Sequence, residues 1–227
     1  MTIMIGGEMN YYKNITTIIS SWILLLMTFF ITLMFSACSN AGETPNLYIE
    51  KATLTEEEKD IAFLLGVGDN HHIYDFKADN GIQSIQVNTY ELKNGEWNLL
   101  TGSNNNFNDA EGRLALSFAN LIDGLQFASL GKNERSSFKH STEVKEELGN
   151  MSQATSMLTG KTKIIYEKEI PLVIQIMTTK NSIRSCTVES FYTPEVYTPL
   201  EYEHVLAVSI LFSQKNVSEL SIEKETN

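Results

Sequence analysis

Two spacings of apolar residues organise the chain beyond residue 50. Over residues 56–65 the apolar positions Ile61, Ala62, Leu64 and Leu65 share one side of a 3.6-residue period, which predicts a helix. Thr55 stands before it and Glu58 three residues later. This is a capping box, in which each side chain takes up an amide that the first turn leaves unpaired. Gly66 suits the left-handed stop position. From Ile73 the spacing changes to two. Residues 73–77, 82–92, 96–100, 114–118, 125–128, 163–166, 172–177, 183–190 and 204–212 then read as strands.

The punctuation between these segments suggests how they join. Asn80-Gly81 and Asn94-Gly95 each separate alternating runs, and both residue types tolerate the positive φ of a tight hairpin turn. Two such turns predict a three-strand meander, and Asp123-Gly124 marks a further hairpin. Residues 131–160 are polar and read as a long excursion, or as one holding a short helix near residues 143–148. Ile82-Gln-Ser-Ile-Gln-Val-Asn-Thr-Tyr90 aligns with Ile183-Arg-Ser-Cys-Thr-Val-Glu-Ser-Phe191, either as a weak internal duplication or because strands of one period resemble each other. The expected fold is mainly β: a two-layered antiparallel β-sandwich-like domain over residues 51–213 with one short N-terminal helix, then a polar tail over 214–227.

The front of the chain follows neither spacing. No charged side chain occurs between Lys13 and Glu43, and a continuous apolar run from Ile15 ends in Phe35-Ser36-Ala37-Cys38. A positive residue, an apolar run and small residues form the pattern of an export signal. The ending resembles the lipobox of bacterial lipoprotein signal peptides, with Ser36 and Ala37 at its small-residue positions and Phe35 where the family usually has Leu. The resemblance implies that Cys38 receives a diacylglyceryl group and becomes the new N-terminus. Residues 1–37 are then the signal peptide and 38–50 the lipidated cysteine and its tether. Two or more acyl chains, at about 0.8 kcal/mol per buried methylene, would hold the product on the membrane. An uncleaved signal anchor is the competing reading, since the run is long enough to span a bilayer. Met9 is the expected initiator, because Met-Asn-Tyr-Tyr-Lys-Asn gives a basic start, whereas residues 1–8 contribute the acidic Glu8.

Charge narrows the range of partners. There are 17 Lys and Arg against 28 Asp and Glu, a formal charge of -11, which argues against nucleic acid. Glu8 and Lys13 cancel, so the whole excess lies beyond the signal, and an anionic membrane surface should hold the exported part off its headgroups. Of the two cysteines, lipidation of Cys38 leaves Cys186 without an intramolecular partner, and its place in an alternating segment marks it as a small buried hydrophobe.

Candidate chemistry is sparse. His71 and His72 with Asp69 and Asp75 have metal-ligand residue types, but adjacent histidines on a strand point to opposite faces, so a solvated strand entry is expected. Asn104, Asn106 and Asn108 imitate the start of a calcium loop. Asp109 then replaces the glycine and Ala115 the bidentate glutamate, leaving a flexible connection as the expectation. Gly160-Lys161-Thr162 and Gly66-Val-Gly68 are incomplete phosphate-loop fragments, and neither a Gly-x-Ser-x-Gly elbow nor a His-Glu-x-x-His helix occurs. Thr193-Pro-Glu-Val-Tyr197 and Thr198-Pro-Leu-Glu-Tyr202 form a tandem after Phe191-Tyr192. Tyr192, Tyr197 and Tyr202 could offer flat amphipathic surfaces to a sugar or peptide, or could pin a crossover onto the core.

No catalytic residue, metal or cofactor is expected. The predicted protein is a membrane-anchored lipoprotein of the extracytoplasmic face, acting as a binding or accessory module for an envelope protein or cell-wall polymer. A cell-envelope hydrolase with a non-local active site and a purely structural surface protein are the alternatives.

Overall fold

The computed structural model describes residues 46–64, 71–141, 151–184 and 186–220, all within the unit Pro45–Asn227. The signal region, Cys38, Leu65, Gly66 and Asp69 lie outside the described residues. Among the described residues no helix is long and apolar enough to cross a membrane.

Alternation places one face of each long strand against water-excluding neighbours, and two sheets close on one another to bury those faces. One is six-stranded, formed by β1 (Tyr48–Lys51), β2 (His71–Lys77), β5 (Glu111–Ser117), β6 (Leu125–Gly131), β7 (Arg135–His140) and β9 (Thr162–Lys163) in the order β7-β6-β5-β2-β1-β9. The other is five-stranded, formed by β3 (Ser84–Lys93), β4 (Glu96–Asn106), β8 (Ser152–Met157), β10 (Ile170–Thr178) and β11 (His204–Ser213) in the order β4-β3-β11-β10-β8. Each strand pair is antiparallel, and the sheets pack as the expected sandwich.

Tyr74, Phe76, Leu114, Leu116 and Phe127 from the first sheet and Ile85, Val87, Val208, Ile210 and Phe212 from the second are all buried between them. Phe76 meets Phe212 across the interface at 5.2 Å between centroids, and Phe107 edge-on at 5.5 Å. Burying each such ring contributes about 1.5–3 kcal/mol. The Tyr74 hydroxyl donates to the Leu172 carbonyl at 3.4 Å, and burial pushes that phenol above its ordinary range.

The helix α1 (Glu56–Leu64) begins as its sequence dictates: the Thr55 amide donates to Glu58 Oε2 at 2.8 Å and the Glu58 amide to Thr55 Oγ1 at 3.2 Å. The Asn94-Gly95 turn also forms as expected, with φ of 54° and 82°, joining β3 to β4. The β5–β6 hairpin turns at Gly124, whose φ is 123°.

Five expectations are corrected. The meander does not form, because β2 and β3 belong to different sheets. At Asn80-Gly81 the turn is organised by Asp79, whose Oδ1 accepts the Gly81 amide at 2.8 Å and the Tyr166 hydroxyl at 2.7 Å, and the chain crosses between layers. Residues 131–160 hold the edge strands β7 and β8, while residues 142–150, where the short helix was expected, lie outside the described residues. Residues 183–190 are not a strand. β8 and β11 flank β10 on both sides, and Val188–Tyr192 instead forms a 3-10 turn that puts Val188 and Phe191 against the sheet. That removes the second half of the suggested duplication. Finally, residues 48–50, expected to belong to a tether, lie in β1, which pairs with β2 and β9.

Candidate functional site

The outer face of the five-stranded sheet carries the polar chemistry. On β3, Ile85 and Val87 point into the sandwich, so alternation turns Gln86, Asn88 and Tyr90 outward. Register places Asn104 and Gly102 of β4 beside Gln86 and Asn88, and Ser209 and Ala207 of β11 beside Asn88 and Tyr90. The sheet surface is therefore low around Asn88. A side chain at position 102 would displace the Asn88 amide, since a Cβ would come within 2.6 Å of Asn88 Oδ1.

Glu169, in the connection from β9 to β10, lays its carboxylate over this hollow. Its Oε1 accepts hydrogen bonds from Asn88 Nδ2 at 2.6 Å, the Tyr90 hydroxyl at 2.5 Å and Ser209 Oγ at 3.0 Å. Gln86 Nε2 donates to Asn88 Oδ1 at 2.8 Å, which fixes the Asn88 amide with its nitrogen toward the carboxylate. Burial, reinforced by Glu169, pushes the Tyr90 phenol above its ordinary range and keeps it a donor. Tyr192 stands at the margin. Its hydroxyl donates to the Glu169 carbonyl at 2.8 Å, its ring is 49% exposed, and the Lys168 ammonium lies 5.4 Å from the ring centre.

Beside this patch the segment 179–203 covers the rest of the face with two 3-10 turns, Val188–Tyr192 and Pro194–Leu200. Trp97 stacks on Phe191 at 5.3 Å and donates its Nε1 proton to the Phe191 carbonyl at 2.8 Å. Tyr197 packs edge-on to Trp97, is buried, shares a 2.5 Å hydrogen bond with Ser190 Oγ, and has its phenol pushed up to about 12 by burial. The Tyr202 hydroxyl accepts the Arg184 amide at 2.7 Å, and its ring lines a hollow of about 300 Å³ with Leu92, Asn94 and Thr198. The three tyrosines thus occupy different settings: Tyr192 is open, Tyr197 pins the crossover to the sheet, and Tyr202 does part of each. Cys186 sits in an irregular stretch of the same crossover, not on a strand, and lines a second groove of about 750 Å³ with Arg184 and Thr187.

Several titratable side chains outside this patch are engaged in the fold. His204 Nδ1 lies 3.0 Å from Glu91 Oε1 on the inner face of the sheet, and Lys93 Nζ is 2.8 Å from Glu91 Oε2. Burial pushes the Glu91 carboxyl up, but Lys93 and His204 outweigh it and the net direction is down. His71 Nε2 shares a proton with Ser117 Oγ at 3.0 Å, His72 packs against Phe118, and Asp75 accepts from Arg113 at 2.7 Å. Among the described residues no three His, Cys, Asp or Glu side chains converge as metal ligands.

The stretch 103–112 is not a loose connection: Asn104 and Asn106 belong to β4. The Asn108 amide and Nδ2 donate to Glu134 at 2.6 and 2.9 Å, while Asp109 accepts from the Asn133 amide and Nδ2, both at 2.7 Å, and from the Glu134 amide at 3.0 Å. Those bonds hold the Asp109 carboxyl below its usual range and tie two loops together.

On the opposite side of the sandwich, α1 lies over the outer face of the six-stranded sheet. A groove of about 340 Å³ runs beneath it, lined by Leu54, Ile61, Ala62, Ile73 and Ala115. Arg113 bridges Glu58 of the helix at 2.6 Å to Asp75 of β2 at 2.7 Å.

Glu169 and Asn88 were not singled out from sequence. The available signal was Gln86-Val-Asn88-Thr-Tyr90, where Gln86, Asn88 and Tyr90 fall together on the face opposite Ile85 and Val87. In class, the molecule is an antiparallel β-sandwich with a polar patch on one outer face. Comparison with protein-family models, with curated proteins and with solved structures found no match.

Proposed function

We propose that the protein is a lipid-anchored module of the extracytoplasmic face that acts by binding, with the outer surface around Glu169 and Tyr192 as its contact site. The observation that carries this reading is the ordering of that surface. A half-exposed aromatic ring is pinned by its own hydroxyl beside a carboxylate whose orientation three donors fix. Groups held in place before contact lose little freedom on binding, which favours recognition. The anchor follows from the lipobox-like ending at Cys38. The hydrolase alternative is less favoured, because the buried acid–histidine pair Glu91–His204 faces the interior of the sandwich.

The anchor is tested in the full-length protein by Cys38→Ala. The expected result is loss of the acyl mass from the N-terminal peptide and release of the protein from the membrane fraction. Unchanged retention, with an intact N-terminal segment by mass spectrometry, would instead support an uncleaved span.

A further inference from the structure

We propose that the Glu169–Tyr192 face takes an uncharged polyhydroxylated ligand, specifically the ring of a hexose or N-acetylhexosamine; this assignment rests on the binding-module reading and gives its site a ligand class. The hydrogen-bonding pattern of the carboxylate comes first. Glu169 Oε1 accepts all three donors from the sheet, Asn88, Tyr90 and Ser209, whereas Oε2 takes none of them. A carboxylate fixed on one oxygen presents the other as an acceptor of set direction, which suits the hydroxyl donors of a sugar.

Shape and charge narrow the class further. Asn88, Ala207 and Ser209 are buried, with Asn88 and Ser209 bonded to the Glu169 carboxylate. A ligand therefore meets Glu169 Oε2 and the half-exposed Tyr192 ring, and a flat sugar ring can lie against the tyrosine while its hydroxyls reach the carboxylate. The local charge disfavours an anion. Glu169 and Glu189 both push the Tyr192 phenol up, after burial, and Lys168 is the cation at the ring. A phosphate or a uronic acid would meet two carboxylates on a domain that already carries the full -11.

The test uses the full chain in detergent micelles, titrated with tetrasaccharides of glucose, mannose and N-acetylglucosamine and followed by calorimetry and saturation-transfer NMR. At least one sugar should bind, and Glu169→Gln and Tyr192→Ala should each weaken it by about tenfold or more, equivalent to about 1.4 kcal/mol. Leu130→Ser, at an exposed site on the other sheet, should leave affinity unchanged. If Glu169→Gln disturbs the fold, Tyr192→Ala still reads the site, because that ring is half exposed. Absence of binding to all three sugars, or equal binding by wild type and both variants, overturns the assignment. Cross-linking to an envelope protein that is lost in Tyr192→Ala, with no sugar bound, overturns it too while leaving the binding-module reading in place.

Discussion

The two sheets are covered on their outer faces by segments held in opposite ways. Over the five-stranded sheet, the crossover 179–203 buries Val188, Phe191 and Tyr197 and stacks Phe191 on Trp97. Over the six-stranded sheet, α1 buries none of its residues. Ile61, Phe63 and Leu64 are 50%, 82% and 81% exposed, and the helix is held by its capping box and the Glu58–Arg113–Asp75 bridge. One cover is fastened by water-excluded aromatic packing, the other by exposed charges. Packing of the first kind is part of the global fold, whereas screened ion pairs contribute little. The two covers should therefore open at very different free energies, and the weaker should open locally.

The largest effect should come from cutting into the packed cover. Phe191→Ala removes a ring that touches Trp97, Tyr90 and Tyr192 and should cost about 3–5 kcal/mol in urea unfolding. A loss below about 1 kcal/mol would show that the crossover is as loosely held as the helix. Next comes Arg113→Ala, which releases α1 from the sheet. Amide exchange over 56–64 should accelerate severalfold while the Tm falls by no more than about 4 °C. A cooperative loss of the whole fold would make α1 an integral element and erase the contrast.

The smallest effect is an acid titration. The Thr55 amide and then Arg113 hold the Glu58 carboxyl below its ordinary range, and Thr178 and Thr179 hold Glu203, at the end of the crossover, down to about 2. Because both folded-state values are lowered, each latch contributes fully above the ordinary carboxylate value near 4.5 and is lost as pH falls through the folded value. Lowering the pH from 5 toward about 2 should therefore free α1, read by exchange at 56–64. Phe191 and Trp97 should stay packed over the same interval, read by near-ultraviolet circular dichroism. Simultaneous loss of both signals would contradict the separation.

What was legible in the sequence follows the same division between local and distant causes. Thr55 and Glu58 lie three residues apart and need nothing else to form their box, so the helix start was readable. Asn94-Gly95 was readable for the same reason. Asn80-Gly81 was not, since the identical dipeptide joins strands whose partners lie far away: β2 chooses β1 and β5, and β3 chooses β4 and β11. β7 was hidden by its polarity, with Ser136, Phe138 and His140 half buried and Arg135, Ser137 and Lys139 exposed, a composition that suits an edge strand. The alternation in 183–190 misled because Val188 and Phe191 also satisfy the three-residue repeat of a 3-10 turn. The site was only partly visible. Tyr192 announced itself as an aromatic in a loop, but Glu169 joins Asn88 across 81 positions of sequence, and no local pattern encodes that meeting.

The place of β11 has a further consequence for the order in which the molecule can form. Among the described strands this one comes last in sequence, yet it lies between β3 and β10, with Ser84 opposite Ser213 at one end of the pairing and Ile170 opposite Ile210 on its other side. Until residue 213 has left the ribosome or a translocation pore, β3 and β10 have no common neighbour and half of the sandwich cannot close. Pairings of such long range form slowly, because loop closure precedes any gain from contact. The five-stranded sheet therefore stays incomplete until β11 follows, a state that can be threaded through a pore, and the sandwich forms only when that strand arrives.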